Sequence, residues 1–184
     1  MNTIDSETAL LMKKCGCVKI CYGIESGSQD ILNKANKCIT LTQIKNGIKF
    51  AKDAGIRVKT FWILGLPGSY EQQLKSLDLM IETKPNDISI HKLIPFPGTD
   101  YYNNPDKYGI KINNKHDLRS YCYGGIDDNF EFTYLSNDQI LKLLSIFSIE
   151  LEKVGYISSD NAKPDSEYVY SLPISKKSLK VFNK

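Results

Sequence analysis

The sequence predicts an α/β protein: a partial parallel βα barrel of about three units, followed by a helical C-terminal extension. Three observations point there. Strand-like and helix-like runs alternate from the start of the chain to about residue 100, the signature of parallel strands joined by helices. The strand runs begin near Val18, Val58 and Ile88, and the units are about 35 residues long, close to the repeat of a βα barrel. Beyond Tyr101 the alternation stops and turn signals such as Asn103-Asn104-Pro105 take over. The predicted division is therefore 1–112 for the barrel segment and 113–184 for the extension.

Taken in order, Asp5–Cys15 reads as a short helix with Leu10, Leu11 and Met12 apolar and Gly16 as its C-terminal stop. Val18–Ile24 is the first strand, and Ile31, Leu32 and Ala35 mark a short helix after it. Thr40 and Gln43 form a capping box, in which each side chain satisfies a free backbone N–H at a helix start. The helix it opens carries Ile44, Ile48 and Ala51 on one stripe and ends at Gly55. Val58–Leu64 is a nearly continuous apolar run, of the kind buried on both faces of a parallel sheet. A second capping box, Ser69 with Gln72, opens a helix whose apolar stripe is Leu74, Leu77 and Ile81. Pro85-Asn86 ends it, and Asp87–Ile94 is the third strand. In the extension, Ser136 and Gln139 cap an amphipathic helix at about 137–154 with Ile140, Leu143, Leu144, Phe147 and Leu151 inward. The last 25 or so residues, rich in Pro, Ser and Lys, read as a loose tail, with Lys176, Lys177, Lys180 and Lys184 solvated.

Composition removes several classes of function. With 184 residues, 41% hydrophobic and 24% charged, the chain can bury a real core. A net charge of +3 creates no strong field for nucleic acid or anionic lipid. No apolar run approaches the ~20 residues that span a bilayer, and no basic segment leads into an apolar one at the N-terminus, so a cytoplasmic protein is expected. Five cysteines (Cys15, Cys17, Cys21, Cys38 and Cys122) are an odd number and read as free thiols. Those at 15, 17 and 21 read as small buried side chains.

Chemistry in parallel α/β folds gathers at the carboxyl ends of the strands. All three ends here carry special residues: Gly23-Ile24-Glu25-Ser26-Gly27, Gly65-Leu66-Pro67-Gly68 and Pro95-Phe96-Pro97-Gly98. Glycine lets a ligand approach the backbone, and a carboxylate beside a hydroxyl can hold a sugar diol or an ammonium group. Glu25 can equally serve its own loop as a backbone acceptor. Strand alternation turns Ser89, His91 and Leu93 to one side, which makes His91 a candidate lining residue of a substrate cavity. His116 lies among polar turn residues and reads as surface. Gly65-Leu66-Pro67-Gly68 is not a dinucleotide fingerprint, because Pro67 removes an N–H from the loop that would cradle phosphates.

In combination, GCVKICYGIESGS (residues 16–28), IRVKTFWILGLPG (56–68) and ISIHKLIPFPGT (88–99) resemble the second half of the radical S-adenosylmethionine (radical SAM) enzyme core. The likeness is closest to the branch that often carries a cobalamin-binding domain, and covers roughly residues 5–112. It implies that these strands are the fourth to sixth of a six-unit partial barrel. It further implies that Gly23, Glu25 and Ser26 meet the ribose or methionyl part of S-adenosylmethionine. Ile63 and Gly65 would meet the adenine face, and Leu93 with Pro95 its edge. The family also uses a [4Fe–4S] cluster held by Cys-x3-Cys-x2-Cys. Here Cys17-x3-Cys21 has the first spacing, but Ile24 stands at the third position. Four residues of extended chain set the two thiols roughly 13 Å apart, too far to converge on one cluster.

The resemblance thus implies a C-terminal portion of an enzyme of 5′-deoxyadenosyl-radical chemistry on a small-molecule or peptide substrate, with no metal ligands of its own. An N-terminal half, on the same or a separate chain, would complete the barrel, bring the cluster and carry any cobalamin. The alternative is a non-catalytic fragment or partner subunit that keeps only nucleotide binding or an interaction surface.

Overall fold

A computed structural model describes residues 4–121 and 129–174. Helix α1 (Ser6–Lys14) starts at Asp5, whose carboxylate accepts the Thr8 N–H, and is stopped by Gly16 at φ +90°. Strand β1 (Lys19–Glu25) is followed by α2 (Gln29–Lys34) and α3 (Leu41–Asp53). Strand β2 (Arg57–Leu64), helix α4 (Tyr70–Thr83) and strand β3 (Asp87–Lys92) complete the alternating part. The chain then makes a short helix α5 (Asp100–Asn103) and a small antiparallel pair, β4 (Ile110–Ile112) with β5 (Phe130–Phe132). Helix α6 (Asn137–Lys153) leads to β6 (Ile157–Ser158) and β7 (Val169–Ser171). All three capping boxes read from the sequence, at Thr40, Ser69 and Ser136, are formed.

The main sheet has the order β1-β2-β3-β7-β6, with every pairing parallel. Its helix-covered face is the core. Tyr22, Ile24, Val58, Trp62, Leu64, Ile88 and Ile90 lie at 5% exposure or less, against Ile31, Ile44, Ile48, Met80, Leu144 and Phe147 in the same cluster. Two polar side chains within this layer are linked: Trp62 Nε1 donates to Thr60 Oγ1 at 2.9 Å, and Thr60 donates to the Asp87 carbonyl at 3.2 Å. Among the described residues no helix is long and apolar enough to cross a membrane.

Four expectations change. Strand β2 is not buried on both faces: its residues alternate between half-exposed and buried along the whole strand. The inner face of the sheet looks onto an open cleft, so Arg57, Lys59, Phe61 and Ile63 keep partial access to solvent. The deeply buried stripe of α4 is Gln73, Ser76, Leu77, Leu79 and Met80, whereas Leu74 and Ile81 are only partly covered. The helix is rotated so that two polar side chains bond the loops above it. Residues 157–171, partly within the predicted loose tail, enter the sheet as β6 and β7, because the edge of β3 offers Asp87–Ser89 for pairing. Tyr170 fixes that return: its hydroxyl bonds Ser148 and Glu152 on α6 at 2.8 and 2.7 Å. Finally, Cys15, Cys21 and Cys38 are exposed and Cys17 is half-buried. Cys21 stands on the inner side of the sheet, which no helix among the described residues covers. Cys122 and the lysines of the tail lie outside the described residues.

Candidate functional site

A cleft of about 460 Å³ opens at the carboxyl ends of β1, β2 and β3 on the inner side of the sheet. It is lined by Gly23 and Glu25 from β1, Phe61 and Ile63 from β2, and His91 through Ile94 with Phe96 from β3 and the loop after it. The alternation of parallel strands accounts for this. Gly23 stands opposite Phe61 and Ile63 opposite His91, so each inward residue has an inward neighbour.

Glu25 is positioned by a defect in the ladder. The register of β1 against β2 shifts between Gly23 and Glu25, and Glu25 itself sits at φ +72°, a region non-glycine residues rarely adopt. Its carboxylate is held by Lys37 at 2.8 Å. Gly23 makes the geometry possible, since a Cβ there would lie 2.5 Å from Glu25 Oε1. The acidic group is thus folded back over the strand that carries it and aimed across the cleft mouth.

His91 is half-buried. Its Nε2 lies 3.0 Å from Ser89 Oγ, which lies 3.0 Å from Ser171 Oγ on β7. Burial is the main force that lowers the His91 pKa below 6.5; the Lys59 ammonium adds to it and Glu25 opposes it. The imidazole is therefore mostly neutral at pH 7. Its ring centroid is 6.0 Å from that of Phe61. Lys92 is 5% exposed; its ammonium bonds Asn137 Oδ1 at 3.0 Å and faces the Phe132 ring at 5.6 Å.

Of the residues singled out by sequence, Gly23, Glu25, Ile63, His91 and Leu93 meet in this one cleft. The other three stand behind it. Ser26 is 1% exposed and its hydroxyl accepts the Ser28 N–H at 3.1 Å. Gly65, at φ +92°, receives the Tyr134 hydroxyl on its carbonyl, and a Cβ there would lie 3.2 Å from the Phe132 ring. Pro95 is buried under the loop. Phe61 and Lys92 line the cleft without having been singled out. Period-two alternation from Ile63 and His91 was the signal available for Phe61.

The arrangement suits a nucleoside. Phe61, Ile63, Leu93 and Ile94 offer an apolar wall, and Glu25 offers acceptors for paired hydroxyls. It does not suit an iron–sulfur cluster: among the described residues no group of three or more His, Cys, Asp or Glu could hold a metal ion. The cysteines near β1 lie along an extended strand and its approach, where their thiols cannot converge.

No family model matches the chain. Over 145 residues it is 28% identical to an uncharacterized methyltransferase of Pyrococcus horikoshii, covering 78% of this chain and 31% of that protein. Its fold matches coproporphyrinogen III oxidase (HemN) of Escherichia coli, a radical SAM enzyme, with a TM-score of 0.59 at 16% identity. That match covers 84% of this chain and 31% of HemN. It also matches the radical S-adenosylmethionine methyltransferase TsrM of Kitasatospora setae, solved with cobalamin and a [4Fe–4S] cluster, with a TM-score of 0.59 at 14% identity. There the match covers 94% of this chain and 36% of TsrM. The chain spans about a third of the length of each of these three proteins.

Proposed function

We propose that this chain, which has the fold of a C-terminal portion of the radical SAM enzymes, contributes the adenine and ribose shelf for S-adenosylmethionine and part of the substrate cavity. One observation carries the reading: Glu25, Ile63, His91 and Leu93, drawn from three separate strand ends, line a single cleft. Ile63 and Leu93 would face the adenine and Glu25 the ribose hydroxyls. His91, mostly neutral at pH 7, would hold or pass a proton at Nε2 through Ser89. When bound beside a reduced [4Fe–4S] cluster, S-adenosylmethionine supplies radical chemistry for hydrogen abstraction or, with cobalamin, for methyl transfer.

Among the described residues none forms a group that fits that cluster, so its ligands would come from another segment or chain. Similarity to a methyltransferase supports transfer of a one-carbon group as the reaction class. Calorimetry with 5′-methylthioadenosine tests the shelf. Binding by the wild-type chain is expected, with a loss of about tenfold or more in Ile63→Asp, which puts a charge against the ring. Equal affinity in Ile63→Asp and wild type would overturn the assignment.

A second reading, a non-catalytic chain that keeps the nucleotide shelf, is favoured by the placement of the cysteines. Co-expression with a polypeptide carrying Cys-x3-Cys-x2-Cys and three further βα units separates the two. A stable complex with iron and S-adenosylmethionine cleavage supports the catalytic reading; nucleotide binding without either supports the other.

A further inference from the structure

We infer, on the reading of the cleft as a nucleoside shelf, that Lys37 is its positioning residue. The Lys37 ammonium fixes one oxygen of the Glu25 carboxylate over Gly23 and leaves the other as the acceptor for the ligand. Lys37 is absent from the residues that line the cleft, so it acts through Glu25. Its Nζ lies 2.8 Å from Glu25 Oε1, and the two side chains are only 33% and 20% exposed. Among the described residues Glu25 Oε2 has no hydrogen-bond or ion-pair partner.

Most exposed ion pairs hold little, because two long side chains must be ordered to make them. Lys37 differs in that its backbone is fixed on both sides. Helix α2 ends in a Schellman turn: Asn36 takes φ +53°, and the Lys37 N–H donates to the Leu32 carbonyl at 2.9 Å. Cys38, at φ +49°, turns the chain again. Gln29, at the start of the same helix, holds the far end of the loop. Its amide donates to the Ile39 carbonyl at 2.9 Å, and its oxygen receives the Leu41 N–H at 3.1 Å. The loop between α2 and α3 is thus clamped at both ends and delivers one cation to the cleft mouth. Gly23 marks the place: a Cβ there would lie 3.3 Å from Lys37 Nζ as well as 2.5 Å from Glu25 Oε1.

This pairing selects among ligands. A bare carboxylate at a cleft mouth attracts ammonium and hydroxyl groups alike. With its charge already met by Lys37, the remaining oxygen favours neutral O–H donors such as a ribose diol. The carboxylate is also held in place before the ligand arrives, so binding need not order it.

The test uses the full chain and compares wild type with two variants. Lys37→Met keeps the apolar stem without the charge, and Lys37→Arg keeps the charge. The first readout needs no ligand. The chain holds two histidines, so His91 can be titrated by NMR with the exposed His116 as control. Glu25 from β1 raises the His91 pKa and Lys59 from β2 lowers it, while β7 presents the Ser171 hydroxyl through Ser89. In Lys37→Met the carboxylate is expected to leave its place over Gly23, and the His91 pKa to fall, as expected for Glu25→Gln. Lys37→Arg is expected to keep the wild-type value. An unchanged or raised pKa in Lys37→Met means that Glu25 stays in place without its partner, and overturns the inference.

The second readout is calorimetry with adenosine and 2′,3′-dideoxyadenosine. Wild type is expected to prefer adenosine by about tenfold, the scale of a hydrogen bond to a charged acceptor. The preference is expected to fall to about threefold or less in Lys37→Met and to survive in Lys37→Arg. A preference undiminished in Lys37→Met overturns the inference as well. Circular dichroism checks that each variant is folded, and Lys37→Gln replaces Lys37→Met if that variant is not. Failure of both nucleosides to bind wild type speaks against the shelf itself, while the His91 titration still decides whether Lys37 places Glu25.

Discussion

Three closely spaced residues, Gly23, Glu25 and Gly27, shape the end of β1 at the cleft mouth. Glu25 occupies a positive φ that costs about 1 to 3 kcal/mol in a non-glycine residue, and such a conformation persists only where the surroundings enforce it. Lys37 and the space above Gly23 do so here. Gly27 is constrained in another way. A Cβ at that position would meet the backbone carbonyl of Lys75 in α4, and its N–H donates to Ser76 Oγ at 3.0 Å. Backbone cannot swing aside as a side-chain end can. Gly27→Ala is therefore expected to destabilise the protein by about 1 to 3 kcal/mol, as overpacking does, read as a lower urea midpoint. Gly23→Ala meets only the flexible end of Glu25 and is expected to cost less. Glu25 and Gly23 could be placed at the cleft from the sequence because both stand at the carboxyl end of a strand. Ser26 was not legible as an interior residue, since its burial depends on a helix about 50 positions later. Sequence spacing shows that a turn exists, not which side chain the rest of the molecule covers.

Helix α4 shows how an element serves a loop. Gln73 is 1% exposed; its amide donates to the Leu66 carbonyl at 2.8 Å and its oxygen receives the Gly65 N–H at 3.4 Å. One side chain thus holds the β2–α4 turn, which keeps Ile63 and Leu93 in place at the cleft. Gln73→Leu preserves the volume but leaves buried backbone groups without partners, a cost of about 1 to 3 kcal/mol. The expected outcome is faster amide exchange at Gly65 and Leu66 before any global unfolding. Apolar periodicity gave Leu77 correctly and misplaced its neighbours, because a hydrophobic stripe carries no information about polar groups that are buried for their hydrogen bonds. The short strands β6 and β7 were illegible for a related reason. Three residues cannot show alternation, and their pairing is set by the free edge of β3.

Across the molecule, the sheet is pinned at its lower end by one carboxylate. Asp87 receives Arg57 from the neighbouring β2 and Lys19 from β1 beyond it, and Arg57 also donates to the Ser166 carbonyl at 3.0 Å. Burial works to raise the Asp87 pKa, but the hydrogen bonds from Arg57 and Lys19 outweigh it and hold the carboxyl below 3.8. The unfolded chain therefore binds this proton more readily than the folded one, and the stabilisation is complete above the unfolded pKa. It is lost as pH falls through the lower folded value. Asp87→Asn is expected to cost about 1.5 to 3 kcal/mol at neutral pH, the scale of hydrogen bonds to a charged group. Its thermal midpoint should fall less steeply with acid than that of wild type below about pH 4. The α/β architecture as a whole was plain in the sequence, since three strand–helix alternations with capping residues leave few other folds.

The pairing of β7 with β3 has a consequence in time as well as space. Ser89 and Ser171 are 82 residues apart, and Arg57 reaches the Ser166 carbonyl across 109. The helices and the first three strands can assemble from near neighbours, whereas contacts of such separation must first meet the entropy of closing a long loop. The apolar wall of the cleft is therefore built by local contacts early in folding. The bond between Ser89 and Ser171 waits for the return of a distant strand, so a mutation that slows this return delays the completion of the sheet beside His91 without altering a single residue of the wall.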